Sequence, residues 1–333
     1  MKSLSENIST AQDSFLDRYR IAVMIPCHNE ELTIVQVVEA FRTELPAAKV
    51  YVYDNRSADD TVIRAKAVGA IIGSEPRPGK GNVVRRMFAD IDADIYIVVD
   101  GDHTYEAGAV RRLISRLLVE QLDMVVGTRQ QTKNNPVAYR PGHKSGNLFL
   151  TSVVQYLFGR QIKDMLSGYR VMSRRFVKSF PALSNGFETE TELTIHALEL
   201  NIPFVEEPTL FVSRPDGSES KLKTFSDGWR ILGTALLLFK EVRPFLFFSI
   251  HFILLATVSL MLGIPIVKVY WDTGFVPRFP TAFLAASIML LAFLSLTCGL
   301  ILDSVARGRR ELKRMHYLSY PAPNTDGVIS LKD

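Results

Sequence analysis

Asp100 and Asp102 stand one glycine apart at the end of the apolar run 95–99. Like charges so close repel, and burying them costs free energy unless a cation, a turn or both compensate. Hard carboxylate oxygens select Mg2+ or Mn2+. The bland use of the same residues is a turn or cap before the helix-like stretch that starts near Glu106. Other chemistry-bearing residues recur in the same setting. Pro26, Asn29 and Glu30 follow the apolar run 21–26, and Asp54 ends the run 49–54, where it can also form a turn with Asn55 and Ser57. Lys80 lies in Pro-Gly-Lys-Gly-Asn, whose glycines permit close backbone approach. Its ordinary alternative is a solvated loop lysine.

Further along, Arg129 closes the run 123–128, and Arg140, His143 and Lys144 fall within five residues, a concentration that suits an anionic group. Asp164, Ser167 and Arg170 occur in Asp-Met-Leu-Ser-Gly-Tyr-Arg. Glu188, Glu190 and Glu192 precede or open a helix, and Arg214, Ser218, Ser220 and Lys221 share a polar loop able to close as a lid. Glu31 suits a first helical turn, and Cys27 and His28 are expected to pack or to face solvent.

These residues need elements to hold them. Residues 20–212 alternate strand-like runs (21–26, 49–54, 70–74, 95–100, 123–128) with helix-like runs (30–45, 59–69, 81–91, about 106–120). Such a βαβα rhythm predicts an α/β domain with a mostly parallel sheet covered on both faces. Ligands gather at the carboxyl ends of such strands, where the polar clusters fall. No G-x-G-x-x-G follows the first strand and no G-x-x-x-x-G-K-[ST] occurs, so dinucleotide and P-loop folds are disfavoured. A helix with a wide apolar face is expected at 145–159.

The 333 residues suffice for one sizeable domain plus a module, with 22% charged and 47% hydrophobic side chains. A net charge of only +4 argues against a dedicated nucleic-acid binder. Two cysteines, Cys27 and Cys298, provide no disulfide framework, and the polar residues 1–19 lack the apolar core of a signal peptide. The stretch 244–267 contains no formal charge and 281–302 no charged side chain, and each is long enough to cross a bilayer. Lys221, Lys223, Arg230, Lys240 and Arg243 precede the pair, and Arg307, Arg309, Arg310, Lys313 and Arg314 follow it. The loop 268–280 carries only Lys268, Asp272 and Arg278. Positive residues stay inside, so both ends should be cytoplasmic at the inner membrane, with Tyr270 and Trp271 at the far interface. Residues 225–243 read as an amphipathic helix on the inner surface, and 304–333 as a basic cytoplasmic tail.

The ordered stretches V-M-I-P-C-H-N-E-E, Y-D-N-R-S-A-D-D-T, R-P-G-K-G-N, V-V-D-G-D-H-T-Y-E, D-M-L-S-G-Y-R and S-R-P-D-G-S-E-S-K-L resemble the inverting GT-A glycosyltransferases of family 2. Similarity is closest to the polyprenyl-phosphate hexose synthases, among them the dolichyl-phosphate mannose synthases and the undecaprenyl-phosphate glucosyltransferases of bacteria. The resemblance spans about 20–225 and implies a GT-A domain at 20–224 before the membrane pair. It implies a nucleotide-sugar donor, with UDP favoured over GDP, a polyprenyl-phosphate acceptor and a Mg2+ or Mn2+ ion on Asp100 and Asp102. The ion would bridge the diphosphate and stabilise the leaving group's charge. Pro26, Asn29, Glu30, Asp54, Lys80, Asp100, Arg214, Ser220 and Lys221 would bind donor. Arg129, Arg140, His143, Lys144 and Ser167 would meet the acceptor phosphate, and Asp102, Asp164 and Arg170 would act catalytically. Thr104 stands where relatives often carry glutamine. The family includes monomers and homo-oligomers. An acceptor phosphate is already mostly a dianion at neutral pH, so no base is required. The rivals are direct transfer to a glycolipid or saccharide hydroxyl, which needs a base such as Asp164 or a glutamate of 188–192, and a catalytically silent nucleotide-sugar scaffold. Two spans are too few for a channel, and the Q-x-x-R-W pattern of processive synthases is missing.

Overall fold

The structure, a computed structural model, describes residues 16–130, 152, 154–156, 162–182, 189–212, 233 and 236–323. The chain divides into two units, one of Met1–Asp227 with Lys313–Asp333 and one of Gly228–Leu312.

In the first unit the strands are β1 (Ile21–Cys27), β2 (Lys49–Asp54), β3 (Ile71–Ser74), β4 (Ile95–Val98), β5 (Met124–Gln130), β6 (Arg170–Ser173) and β7 (Phe204–Leu210). Its helices are α1 (Ile34–Glu44), α2 (Thr61–Ala67), α3 (Lys80–Asp90), α4 (Val110–Val119), α5 (Arg174–Ser179) and α6 (Thr189–Glu199). The described strands form one sheet in the order β3-β2-β1-β4-β6-β5-β7, parallel except for β6, which runs against β4 and β5. The mixed α/β sheet expected from the alternation is present.

β1 shows why both faces need cover. Ile21, Val23, Ile25 and Cys27 pack with the buried faces of α1 and α4, whereas Ala22 and Met24 pack with α3, α5 and α6. In α4, Val110, Leu113, Ile114, Leu117 and Leu118 are buried at helical spacing, which fixes its rotation on the sheet. Truncating such a residue, as in Leu113→Ala, costs about 2–5 kcal/mol.

The chain leaves β1 towards β2 and β3 and returns on the other side as β4, so strand order reverses between β1 and β4. Crevices open at such a reversal. Cys27 is level with Asp54, Asp54 with Ser74 and Met24 with Val98, so the loops after β1, β2 and β4 share one edge. Because β6 is antiparallel and Arg170 pairs with Val98, the chain enters β6 at that same edge. Gly168, two residues before β6, is thereby brought to Asp100.

The first helix begins at Ile34, later than expected from residue 30. The preceding loop is bound to the turn after β2: the Asn29 N–H donates to Ser57 Oγ (2.9 Å), the Glu30 N–H to Thr61 Oγ1 (2.8 Å) and the Glu31 N–H to Asp59 Oδ2 (3.2 Å). Glu31 therefore lies before the helix, where its Oε2 accepts the Asp60 N–H, and not in the first turn. Cys27 is buried, as one of its two expectations had it.

The second unit contains α7 (Pro244–Thr273), closed by Gly274 at φ 72°, and most of α8 (Phe279–Leu318). Both are long and apolar enough to cross a membrane by length and composition. Ile253, Leu254, Met261, Leu290 and Leu291 are exposed on them. The two helices meet at small residues: Ser259 Oγ donates to the Ala285 carbonyl (2.7 Å), and a Cβ on Gly299 would lie 2.8 Å from Phe248 Cβ. α8 continues past residue 302 through the basic stretch, helped by the Asp303–Arg307 ion pair one turn apart. Residues 304–318 are thus helix, and from Lys313 onward the chain belongs to the first unit. Of the expected surface helix, 225–232 lie outside the described residues, as does most of 145–159.

Candidate functional site

β4 delivers Asp100 and Asp102 to the shared edge. Asp102 is buried, and one of its oxygens, Oδ1, accepts both the Thr104 hydroxyl (2.6 Å) and the Thr104 N–H (3.3 Å). Thr104 therefore orients Asp102. Thr33 Oγ1, buried at the head of α1, donates to the Gly101 carbonyl (2.7 Å) and ties the acid pair to β1's loop. Neither neighbouring glycine has room for a side chain. A Cβ on Gly101 would lie 2.9 Å from Cys27 Sγ, and one on Gly168 would lie 2.5 Å from Asp100 Oδ2. The Gly168 N–H is held by the Tyr105 hydroxyl (2.9 Å).

Lys80 opens α3, and its ammonium donates to Asp100 Oδ1 and to Glu190 Oε1, the latter at 2.5 Å. Burial opposes the charged ammonium, yet the two carboxylates outweigh it and raise its pKa. Asn55 fixes the loop that carries Lys80. Its amide donates to the carbonyls of Glu75 (2.8 Å) and Arg77 (2.7 Å), and its oxygen accepts the Gly79 N–H (2.8 Å). Gly79 has φ 118°, a conformation that favours glycine. Glu75 is buried below, and the hydrogen bonds of the Arg77 guanidinium hold its carboxyl down at about 2.

Across the edge, Asp164 accepts Arg129 Nε and Nη2, both at 2.7 Å, and the Arg129 N–H at 3.2 Å. The guanidinium also lies 5.6 Å from the Phe211 ring centroid. The Lys163 and Asp164 N–H groups both donate to Glu206 Oε1 (2.9 Å each), which fixes the start of this loop.

Two expected residues sit beneath the site instead of in it. Arg170 is 1% exposed, and its guanidinium donates to the carbonyls of Ser167 (3.1 Å), Met165 (3.0 Å) and Glu190 (2.9 Å) and to Thr194 Oγ1 (3.0 Å). Burial pulls its pKa down. It joins the 164–170 loop to α6 from a buried position. Ser167, expected at the acceptor phosphate, is fully buried, and its hydroxyl donates to the Gly127 carbonyl (2.5 Å). Next to them, the Tyr105 and Tyr169 rings pack with centroids 5.5 Å apart.

At the end of β2, the Asp54 carboxylate accepts the Ser57 N–H (3.2 and 3.3 Å), so it does form the turn the sequence allowed. Asn29 Oδ1 accepts the Ala58 N–H (2.8 Å), and Pro26 is level with Tyr53 in the sheet. Asn29, Glu30 and Asp54 are thus brought together at the ends of β1 and β2. Arg140, His143, Lys144, Glu188, Arg214, Ser218, Ser220 and Lys221 lie outside the described residues. Sequence reasoning missed the parts of Thr33, Asn55 and Tyr105. Their one signal is adjacency to Glu30, Asp54 and Asp102.

Among the described residues no cluster of three His, Cys, Asp or Glu side chains could close around a metal. Asp100 and Asp102 nonetheless fit a Mg2+ or Mn2+ ion, which is commonly held by one or two carboxylates with substrate phosphates and water completing its shell.

The profile described as Glycosyl transferase family 2 matches residues 22–180. The glycosyltransferase AglJ of Haloferax volcanii is 30% identical over 302 residues, which are 90% of this chain and 98% of AglJ. Protein RfbJ of Shigella flexneri is 51% identical over 126 residues, 38% of this chain and 97% of RfbJ. The fold is similar to that of glucosyl-3-phosphoglycerate synthase from Mycobacterium tuberculosis, crystallised with Mn2+ and uridine-diphosphate-glucose. The TM-score is 0.54 at 23% identity, covering 69% of this chain and 81% of that one.

Proposed function

The chain belongs to glycosyl transferase family 2, and on that premise we propose that it moves a hexose, with inversion, from a nucleotide sugar to a polyprenyl phosphate. We place this reaction at the cytoplasmic face of a membrane crossed by α7 and α8. The observation that supports this most is the convergence of Asp100, Asp102, the Lys80–Glu190 pair and the Arg129–Asp164 pair at one sheet edge, in a chain that also carries two long apolar helices.

Asp54 meets the base, with Pro26, Asn29 and Glu30 framing the nucleoside. Asp100 and Asp102 would hold a Mg2+ or Mn2+ ion, which would supply charge stabilisation for the leaving diphosphate. Lys80, with Arg214, Ser220 and Lys221, engages the phosphates. Arg129, Arg140, His143 and Lys144 receive the acceptor phosphate, and Asp164, carried on Arg129, orients the sugar or the acceptor. A uridine donor is favoured, as in the Mycobacterium enzyme of like fold. Both oxygens of Asp164 already accept Arg129 N–H donors, and Glu190 accepts Lys80. Neither is poised to take a proton from a sugar hydroxyl, which favours an acceptor that arrives as a phosphate dianion. Positioning and charge stabilisation then carry the catalysis.

The test uses purified full-length protein in detergent with Mn2+, polyprenyl phosphate and a panel of UDP- and GDP-sugars. Transfer to the lipid from one donor is expected. Transfer to a saccharide hydroxyl with none to the lipid would replace this reading with the rival. Arg140→Ala is expected to raise the KM for lipid phosphate and leave the KM for donor nearly unchanged.

A further inference from the structure

Where a cation was expected beside Asp100, the chain supplies one of its own. The Lys80 ammonium lies between Asp100 Oδ1 and Glu190 Oε1. The Lys80 and Glu190 side chains are only 12% and 9% exposed. The arrangement is built in from several sides. Lys80 is the first residue of α3, and Asn55 grips the preceding Gly79 through its N–H. Glu190 is fixed through its carbonyl, which accepts Arg170 Nη2 (2.9 Å) and Thr194 Oγ1 (3.0 Å). On the far side, the missing side chain of Gly168 lets backbone close over Asp100 Oδ2.

This placement has an electrostatic consequence. A divalent ion on Asp100 would share that carboxylate with an ammonium, and like charges a few ångströms apart repel strongly in a half-buried site. Without Lys80, Asp100 and Glu190 would be left with no cation between them, and Asp100 would be open to a free divalent ion whether or not a donor is present. A diphosphate changes the balance, because its oxygens offer the ammonium an alternative partner of higher charge.

We propose that Lys80 is an internal counter-cation that guards Asp100, yielding it to a divalent ion only when a nucleoside diphosphate takes over the ammonium. This rests on the reading that Asp100 and Asp102 hold the donor's ion. Lys80 then has two successive partners, Asp100 with Glu190 in the resting site and phosphate in the loaded one. The ion is taken up with the donor and not ahead of it. Ion and nucleotide binding are coupled, and by linkage each strengthens the other by the same factor.

The experiment is a Mn2+ titration of the full-length protein in detergent, read from the electron paramagnetic resonance of free Mn2+, with and without UDP or GDP. Wild type is expected to bind Mn2+ weakly alone and tightly with the nucleotide. Lys80→Met is expected to bind Mn2+ alone at least about tenfold more tightly, since it removes the like charge, and to lose most of the nucleotide coupling. Lys80→Gln, which keeps a neutral hydrogen-bonding side chain one atom shorter, should do the same if the Met variant folds poorly. Thermal unfolding of each variant checks the fold. Glu190→Gln removes a carboxylate but keeps the ammonium, so its nucleotide-free affinity should stay at or below that of wild type. A merely structural lysine would not tighten ion binding on removal. Unchanged or weaker nucleotide-free affinity in folded Lys80→Met and Lys80→Gln overturns the proposal alone, as does tight nucleotide-free binding by wild type. Absence of Mn2+ binding by wild type even with nucleotide overturns the ion site and the proposal together.

Discussion

The Asp102 carboxylate is oriented through a single oxygen, to which Thr104 donates twice. Asp102→Asn should abolish Mn2+-dependent turnover while leaving the melting temperature close to that of wild type, and full activity in the variant would remove the residue from the ion site. Thr104→Val keeps the shape and deletes the hydroxyl donor. Outer-sphere partners of this kind typically contribute 10–100-fold to metal affinity, so the Mn2+ concentration for half-maximal rate should rise about tenfold. An unchanged Mn2+ dependence would show that Asp102 needs no such support. His196 offers a different test, because it lies on the buried side of α6 between Phe176 and Phe180, with ring centroids 5.5 and 5.4 Å away. Burial, reinforced by nearby Lys313, pushes its pKa down to about 3 from 6.5. The unfolded chain binds a proton near pH 6.5 that the folded chain refuses until about pH 3, so this group costs stability as pH falls through that window. His196→Phe should therefore lose less melting temperature than wild type between about pH 7 and about pH 5. At this scale the sequence was readable where a residue follows an apolar run, as Asp54, Asp100 and Asp102 do. It could not reveal that Lys80 pairs with Glu190, because 110 residues separate them and only the folded sheet edge joins them. Nor could it separate Arg170 from Arg129, since one motif-like neighbourhood puts the first beneath the site and the second at its rim.

Among the elements, the parallel strands β1, β2 and β4 followed from their continuous apolar runs, as did the helices between them. The antiparallel β6 did not, because its four residues carry no period that distinguishes direction. Yet that reversal is what presents Gly168 to Asp100. The end of α8 was equally hidden. Its composition reads as a basic tail, but Tyr317 is buried and its hydroxyl donates to Asp123 Oδ2 (2.7 Å). Asp123 is fully buried and also accepts Ser173 Oγ (2.6 Å) and Arg175 Nε and Nη2 (2.6 and 2.7 Å). The Arg175 and Arg314 guanidinium carbons lie 4.8 and 5.1 Å from the Tyr317 ring centroid, and Lys313 Nζ donates to Glu199 Oε2 (2.7 Å). Residues 313–317 thus close the first unit beside β5, β6 and α6. Tyr317→Phe removes one hydrogen bond to a buried carboxylate and should destabilise this unit by about 2 kcal/mol. The measurement is the melting temperature of the full-length protein in detergent. A shift no larger than that of an exposed control such as Ser319→Ala would show that the tail is not part of the fold.

For the molecule as a whole, the decisive fact is connectivity. The chain leaves the first unit before α7 and rejoins it at Lys313, so the segments on either side of the helical unit belong to one folded body. If α7 and α8 cross a bilayer, both of those segments must lie on the same side of it, because a folded unit cannot be divided by the membrane. The flanking charge agrees, with Lys221, Lys223, Arg230, Lys240 and Arg243 before α7, Arg307, Arg309, Arg310, Lys313 and Arg314 in the last turns of α8, and only Lys268 and Arg278 in 268–280. The native cysteines leave a clean background for a test, since Cys27 is buried and Cys298 lies within the apolar part of α8. With Cys298 replaced by alanine, Phe275→Cys in the turn after α7 should react with a membrane-impermeant maleimide added to intact cells, and Ser319→Cys should react only after the membrane is opened. The opposite pattern would place the sheet edge and its carboxylates on the outer face, away from a cytoplasmic nucleotide-sugar pool. Labelling of both positions in intact cells would mean that the two helices do not span, and acceptor delivery along a bilayer would lose its physical basis.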